Sequence, residues 1–115
     1  MTADANRARG QYGEDRAAQW YLDSGYDILD RNWRNSSGEL DLVARLGDTI
    51  VFVEVKARAS LAFGSPFEAI TVAKQRRIRG LAADWMRASE HTAALLRFDA
   101  VAVIGTDVEV LLAAF

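Results

Sequence analysis

The stretch from Gly38 to Arg58 constrains the fold of this chain most strongly, because it has the pattern of two strands joined by a tight turn. Apolar and charged residues alternate in its first half. In its second half, the apolar and mostly β-branched run Ile50–Val53 is typical of a strand buried on both faces. A two-residue loop at Gly47-Asp48 predicts a β-hairpin in which Leu46 faces Thr49.

The same register brings charged residues together at the far end of the hairpin. We expect Asp41 to face Glu54 and Glu39 to face Lys56, whereas a loop of odd length would place Asp41 and Glu54 on opposite faces. Glu54 and Lys56 share one face, because residues two apart point to the same side of a strand. Opposed side chains have Cβ atoms roughly 4.5–5.5 Å apart, where like charges are destabilising. Two such carboxylates must share a proton, meet a cation or bind a metal.

The chemistry of these side chains suits a hard metal ion. Carboxylate oxygens without thiolate or imidazole ligands indicate Mg²⁺ first and Mn²⁺ second. Lys56 would then lie beside the ion, within reach of a phosphate or an attacking water. The alternative interpretation is structural, with a salt bridge between Glu39 and Lys56 and with Asp41 and Glu54 at a solvated strand end. Spacing alone favours neither interpretation.

The charged residues of the hairpin also form a known pattern. Asp41 followed by Glu54-Val55-Lys56 resembles the D…(D/E)-x-K signature of the restriction-endonuclease-like superfamily. The longer pattern GELDLVA…VFVEVKAR, with Gly13-Glu14-xx-Ala17 upstream, resembles the YraN-like family of small bacterial proteins. That family is similar in pattern to archaeal Holliday-junction resolvases. The resemblance implies an α/β fold with a restriction-endonuclease-like αβββαβ core, a mixed β-sheet flanked by helices.

The resemblance implies an activity as well, namely metal-dependent endonucleolytic hydrolysis of phosphodiester bonds in DNA. Asp41 and Glu54 would hold Mg²⁺ together with the backbone carbonyl of Val55. Lys56 would orient the attacking water or stabilise charge in the transition state, and Glu14 would be an auxiliary catalytic residue. The resolvases suggest branched or structured DNA as substrate, and action on two strands would suit a two-fold homodimer.

The rest of the chain has the elements that such a core needs. A helix is predicted from about Arg9 to Asp23, with Glu14 on its apolar stripe and residues 1–8 flexible. In the strand that begins at Phe98, Asp99 points to the opposite face of the sheet from Phe98, and either Lys74 or an arginine could be its partner. The other predicted elements are an edge strand at Tyr26–Trp33, a helix from Phe67 or Thr71 to about Ala88, and strands at Phe98–Ile104 and Val108–Leu112.

Basic residues are concentrated near the start of the second predicted helix. We take Lys74 and Arg77 there, together with Arg58 at the end of the hairpin, as candidates for contacts with nucleic-acid phosphates. An exposed helix face is the alternative interpretation of this segment. The net charge of −2 argues mildly against strong binding, since nucleic-acid-binding domains are often basic.

Length and composition limit the other possibilities. The 115 residues, half of them hydrophobic, suit a single globular domain. The lack of cysteine excludes thiolate metal sites, and a single histidine excludes mechanisms that need paired histidines. The start of the chain lacks a signal-peptide pattern, and no apolar run approaches the ~18 residues that span a bilayer. We therefore expect a cytoplasmic protein without membrane contact.

Two other classes of function stay open. One is a non-catalytic nucleic-acid-binding or partner-recruiting domain that retains the nuclease fold, which the sequence pI of about 5.3 favours. The other is a scaffold protein whose carboxylate face binds a metal adventitiously. The complete set of Asp41, Glu54 and Lys56 favours catalysis over both. The residues alone do not distinguish DNA from RNA.

Overall fold

The computed structural model describes residues 3–62 and 64–115. Within these residues the order of elements is α1 (Ala3–Asp23), β1 (Asp27–Asn35), β2 (Gly38–Leu46), β3 (Thr49–Arg58), a 3₁₀ turn (Pro66–Ala69), α2 (Val72–Ala88), β4 (Leu95–Ile104) and β5 (Asp107–Leu111). The strands form one mixed sheet in the order β1-β2-β3-β4-β5, in which only β3 and β4 are parallel. The predicted α/β class, with helices flanking a mixed sheet, is confirmed.

The two helices cover opposite faces of the sheet. Alternate residues of β3 therefore belong to different core clusters, and the run Ile50–Val53 is buried on both faces as predicted. The α1-side cluster includes Ala17, Tyr21, Val51, Val53 and Val101. The α2-side cluster includes Ile50, Phe52, Ile78, Leu81, Trp85 and Phe98.

Some element boundaries differ from the predicted ones. The helix α1 begins at Ala3 rather than near Arg9, so much of the segment expected to be flexible is helical, while residues 1 and 2 lie outside the described range. The strand β4 begins at Leu95, three residues before the predicted start at Phe98, because its parallel pairing with β3 already starts opposite Thr49.

The start of α2 is fixed by a side-chain cap. The hydroxyl of Thr71 accepts a hydrogen bond from the backbone N–H of Lys74 at 3.2 Å, which satisfies one of the free amides of the first turn. The alternative start at Phe67 is wrong, since Pro66–Ala69 forms a separate 3₁₀ turn. The cap places Lys74 in the first turn of α2.

The predicted register of the central hairpin is confirmed over five residue pairs. Leu46 pairs with Thr49, and the ladder continues to Leu42 opposite Val53, where the pairs of β2 and β3 end. Gly47, at the first position of the turn, has a φ of +58°, which favours glycine. The turn therefore aligns both strands up to the position of the candidate site.

Candidate metal centre

The hairpin strands separate just beyond the last pair, and Asp41 lies in the gap. Its Oδ2 accepts a hydrogen bond from the backbone N–H of Val55 at 2.8 Å, so a side chain replaces a backbone partner. Leu40 and Leu42 belong to opposite core clusters, although residues two apart normally share a face. The side-chain alternation of β2 is therefore broken around Asp41, and the expected direct pairing of Asp41 with Glu54 is not among the ladder pairs.

The neighbouring strand β1 is irregular at the same level. Arg31 pairs with Leu42 and Trp33 with Leu40, which places Asn32 beside Asp41. Asn32 has a φ of +54°, a backbone region that residues other than glycine seldom adopt and that recurs at functional sites. Its side chain hydrogen-bonds the carboxyl group of Glu14. Sequence reasoning missed Asn32, because nothing in a β-strand pattern indicates a left-handed residue.

A close contact between α1 and β3 brings Glu14 to the site. A Cβ at Gly13 would lie 2.8 Å from the Cβ of Ala57, so only glycine allows the helix to approach the strand this closely. Glu14 is the next residue and is half-buried. The Gly13-Glu14 pair thus combines a packing requirement with a carboxylate at the end of the sheet.

Three carboxylates, one from α1 and two from β2, converge at the gap. Glu14, Glu39 and Asp41 each offer an oxygen atom within 4.8 Å of the others. Glu39 does not pair with Lys56 as expected, because its Oε2 lies 2.8 Å from Nε of Arg34 on β1. Sequence reasoning missed Glu39 as a candidate ligand, although its spacing of two residues from Asp41 was a usable signal.

Two lysines approach the gap from the α2 side of the sheet. Glu54 is 6% exposed, and its Oε1 lies 2.8 Å from Nζ of Lys74. Lys56 lies two residues further along β3, is half-buried, and lies close enough to Lys74 for the two groups to affect each other's pKa. Lys74 therefore lies at the candidate site rather than on an exposed helix face.

The crowded charges shift the proton affinities of the site. Burial, and next to it the charge of Glu54, raises the pKa of Asp41 to about 8, and Glu14 and Glu39 add to the effect. Burial likewise raises the pKa of Glu14. Burial and the contact with Lys74 lower the pKa of Lys56. All three shifts favour the neutral form of the group concerned, as expected for like charges crowded in a partly buried site.

A cleft of about 330 Å³ between the hairpin and α2 is lined by Glu39, Asp41, Glu54, Lys56 and Lys74. Glu14 does not line it and is linked to it through the carboxylates of Glu39 and Asp41. Arg77 lines it too, and a Cβ at Gly38 would lie 3.6 Å from Cδ of Arg77 and 3.4 Å from Leu81. Arg58 does not line this cleft and contributes instead to a neighbouring groove. The structure therefore brings the predicted residues Glu14, Asp41, Glu54, Val55, Lys56, Lys74 and Arg77 together and separates Arg58 from them.

The donor set fits a hard divalent cation. All the converging ligands are carboxylate oxygens, the type that Mg²⁺ and Mn²⁺ prefer. The raised pKa of Asp41 shows that its negative charge lacks compensation within the protein. A cation in the gap would supply that compensation.

The fold and the site define a small α/β protein with an acidic centre beside two lysines, and comparison with known sequences gives its family. The chain belongs to the group described as Uncharacterised protein family UPF0102, which matches residues 13–103. The YraN-like resemblance is thereby confirmed. The matched region includes Glu14 and both strands of the central hairpin.

Several bacterial relatives are about half identical to this chain. A UPF0102 protein of Rhodococcus opacus is 52% identical over 99 residues, which cover 86% of this chain and 84% of the relative. One from Beutenbergia cavernae is 52% identical over 102 residues, 89% of this chain and 86% of the relative. One from Arthrobacter sp. is 50% identical over 95 residues, with coverages of 83% and 80%.

The described helices were also compared with the requirements for a membrane span. Neither has both the length and the apolar character needed to cross a bilayer.

Proposed function

We propose that this protein is a metal-dependent endonuclease that hydrolyses phosphodiester bonds in DNA. The observation that carries the proposal is the meeting of three carboxylates with Lys56 and Lys74 in one cleft, with the carboxylate of Glu14 next to it, where the pKa of Asp41 is raised to about 8. A phosphodiester needs both kinds of charge, acidic ligands for a cation and basic groups for its own oxygens.

Asp41 is the central ligand in this proposal. It clusters with Glu14 and Glu39 and is also close enough to Glu54 for that charge to raise its pKa, so either neighbouring set could complete the coordination of Mg²⁺ or Mn²⁺. The N–H of Val55 points towards Asp41, and a strand residue directs its N–H and C=O to the same neighbour, which favours the Val55 carbonyl as a further ligand. A bound divalent ion would polarise a phosphate oxygen and lower the pKa of a bound water.

The basic residues would act on the substrate. Lys56, half-buried at the gap, would orient the attacking water or stabilise the charge that develops on the phosphate. Lys74 is the counter-ion of Glu54 and would exchange this carboxylate for a phosphate oxygen when substrate and metal bind. Arg77, exposed at the rim of the cleft, would hold a neighbouring phosphate.

The test is cleavage of labelled linear, flapped and four-way-junction DNA, and of matched RNA, with Mg²⁺ or Mn²⁺. We expect Asp41→Asn and Lys56→Ala to lower the cleavage rate at least about 100-fold, as removal of a group acting on the transition state does. Binding should persist in both variants. Asp107→Asn, an exposed acid at the start of β5, is the matched control and should cleave like the native protein. Native cleavage rates in Asp41→Asn would refute the proposal.

One observation favours a second candidate, a non-catalytic DNA-binding or partner-recruiting domain. Glu54 already has a counter-ion in Lys74, so this half of the site is electrostatically satisfied without a metal. Binding of a junction without cleavage in any divalent metal would support this function.

Sedimentation of the native protein with and without a junction would test the homodimer that cutting two strands suggests.

A further inference from the structure

A second groove lies beside the candidate metal centre, between the N-terminal half of α1 and the end of β3. Its volume is about 550 Å³, compared with about 330 Å³ for the cleft at the metal centre. Among the described residues, its lining contains two arginines and no acidic residue, whereas three acidic residues line the cleft. The lining residues are Asn6, Arg9, Gly10, Ala57, Arg58, Ala59 and Ser60.

We propose that this groove binds the nucleic-acid backbone next to the phosphodiester bond that is cleaved. The inference rests on the proposed function and assigns the path that the strand follows away from the metal centre. The basic lining matches a phosphodiester chain in charge, and Ala57 and Ala59 offer small apolar contacts for its sugars.

The groove is adjacent to the metal centre along both of its walls. On α1, Gly10 lies one helical turn before Glu14, a distance of about 6 Å along the helix axis. On β3, Arg58 follows Lys56 by two residues. The two walls touch between the groove and the metal centre, where Gly13 meets Ala57, so a strand leaving the metal centre would cross over this contact to enter the groove.

Gly10 indicates that the groove is kept open. Glycine inside a helix destabilises it relative to alanine, and at Gly13 close packing against Ala57 requires this cost. At Gly10 packing does not require glycine, because a Cβ there would meet no atom within 4 Å. A side chain at this position would project into open space at the groove wall. Packing within the protein does not explain a glycine at this position, whereas a nucleic-acid backbone bound in the groove would explain it.

Arg58 is the principal anchor in this arrangement. In the described part of the chain its guanidinium donates one hydrogen bond, from Nη1 to the carbonyl of Ala57 at 3.2 Å, and forms no ion pair. A guanidinium has five N–H donors, so others remain for a phosphate. Arg9 lies across the groove on α1 and would contact the same backbone from the other wall.

The experiment measures binding by fluorescence anisotropy of labelled single strands and junctions, in EDTA so that no cleavage occurs. We expect Arg58→Gln to raise the Kd about tenfold and to make the salt dependence shallower, because one phosphate contact is lost. Gly10→Leu should raise the Kd by a similar factor by filling the groove. Arg87→Gln, at a remote exposed arginine of α2, is the matched control and should change the Kd less than about twofold.

The same variants separate the two proposals. Thermal unfolding should show Gly10→Leu to be folded, since its Cβ has free space. Weaker binding in Arg58→Gln and Gly10→Leu would support the groove even if no metal gave cleavage, in which case the nuclease proposal alone would fail. Native binding and native cleavage in both variants would overturn the groove and leave the nuclease standing. Parallel DNA and RNA oligonucleotides of one sequence would show which backbone the groove prefers.

Discussion

Asp99 and Asp41 are acidic residues of the same sheet in environments of opposite character. Asp99 is fully buried and accepts hydrogen bonds from Tyr21 Oη at 2.7 Å, from Arg97 Nε and Nη2 at 2.8 Å each, and from the N–H of Ala113 at 2.9 Å. Asp41 is half-buried, and its hydrogen bond among the described residues comes from Val55. Its other neighbours include three carboxylates.

The difference shows that one residue type can have its charge compensated in one place and left uncompensated in another. Around Asp99 a cation and neutral donors surround the charge, and the hydrogen bonds to Asp99 raise the pKa of Arg97. Around Asp41 burial and the charge of Glu54 raise the pKa to about 8. The first arrangement is complete in the protein alone, whereas the second lacks a compensating positive charge.

The largest effect in this comparison is expected from Asp99→Ala. It leaves Arg97, whose side chain is 24% exposed, without its partner and removes the anchor of Ala113. Breaking such a buried pair lowers the free energy of unfolding by about 3–5 kcal/mol. Urea unfolding monitored by circular dichroism would measure the change. A loss below about 1 kcal/mol, the size of a surface ion pair, would show that the Asp99 network is not structural.

Asp41→Asn should act in the opposite direction in the metal-free protein. The unfolded carboxyl group titrates near 3.8 and the folded one near 8, so between these values the folded state alone keeps the proton. The free energy of unfolding therefore falls as pH rises from about 4 to about 8 and then levels off. Asparagine removes this loss, still accepts from Val55, and should stabilise the protein at pH 8 by about 1–3 kcal/mol.

Added metal should reverse this ranking. Saturating Mg²⁺ at about 100 times its Kd would stabilise the native protein by ~2.7 kcal/mol and the variant much less, because the central ligand is missing. Thermal unfolding of the native protein and of Asp41→Asn at pH 5 and pH 8, with and without Mg²⁺, measures these differences in stability. A native protein that is equally stable at both pH values in EDTA would contradict the raised pKa of Asp41.

The sequence predicted the part of the site that local rules govern. The Gly47-Asp48 turn fixes the register as far as Leu42 and Val53, and this register brings Asp41 near Glu54. The separation of the strands at Asp41 was not predictable, because a tertiary bond to the amide of Val55 competes there with regular pairing.

The partners of Asp99 were out of reach for the same reason. Alternation along β4 showed only that Asp99 faces away from Phe98, and an arginine was one of two partners considered. The side chains that surround it come from α1, from β4 itself and from the residues after β5. The prediction of the fold depended on periodicity, which can be seen in a sequence. Both acidic sites depend on long-range contacts, which cannot be seen there.

The smallest effects are expected from a pair of nearly isosteric changes, Tyr21→Phe and Glu14→Gln. Tyr21→Phe removes one donor to Asp99 in a site with no solvent exposure, so the free energy of unfolding should fall by about 1–2 kcal/mol. Glu14→Gln removes one of the clustered negative charges and keeps an amide oxygen for Asn32, so metal-free stability should stay equal or rise by up to about 1 kcal/mol. Urea titrations in EDTA compare the two changes, and a Mg²⁺ titration of Glu14→Gln should show weakened stabilisation. Removing a hydrogen-bond donor from a structural acid should lower the free energy of unfolding, whereas removing a like charge from a crowded acid should not. Equal losses in both variants would therefore mean that the two acidic sites do not differ in kind.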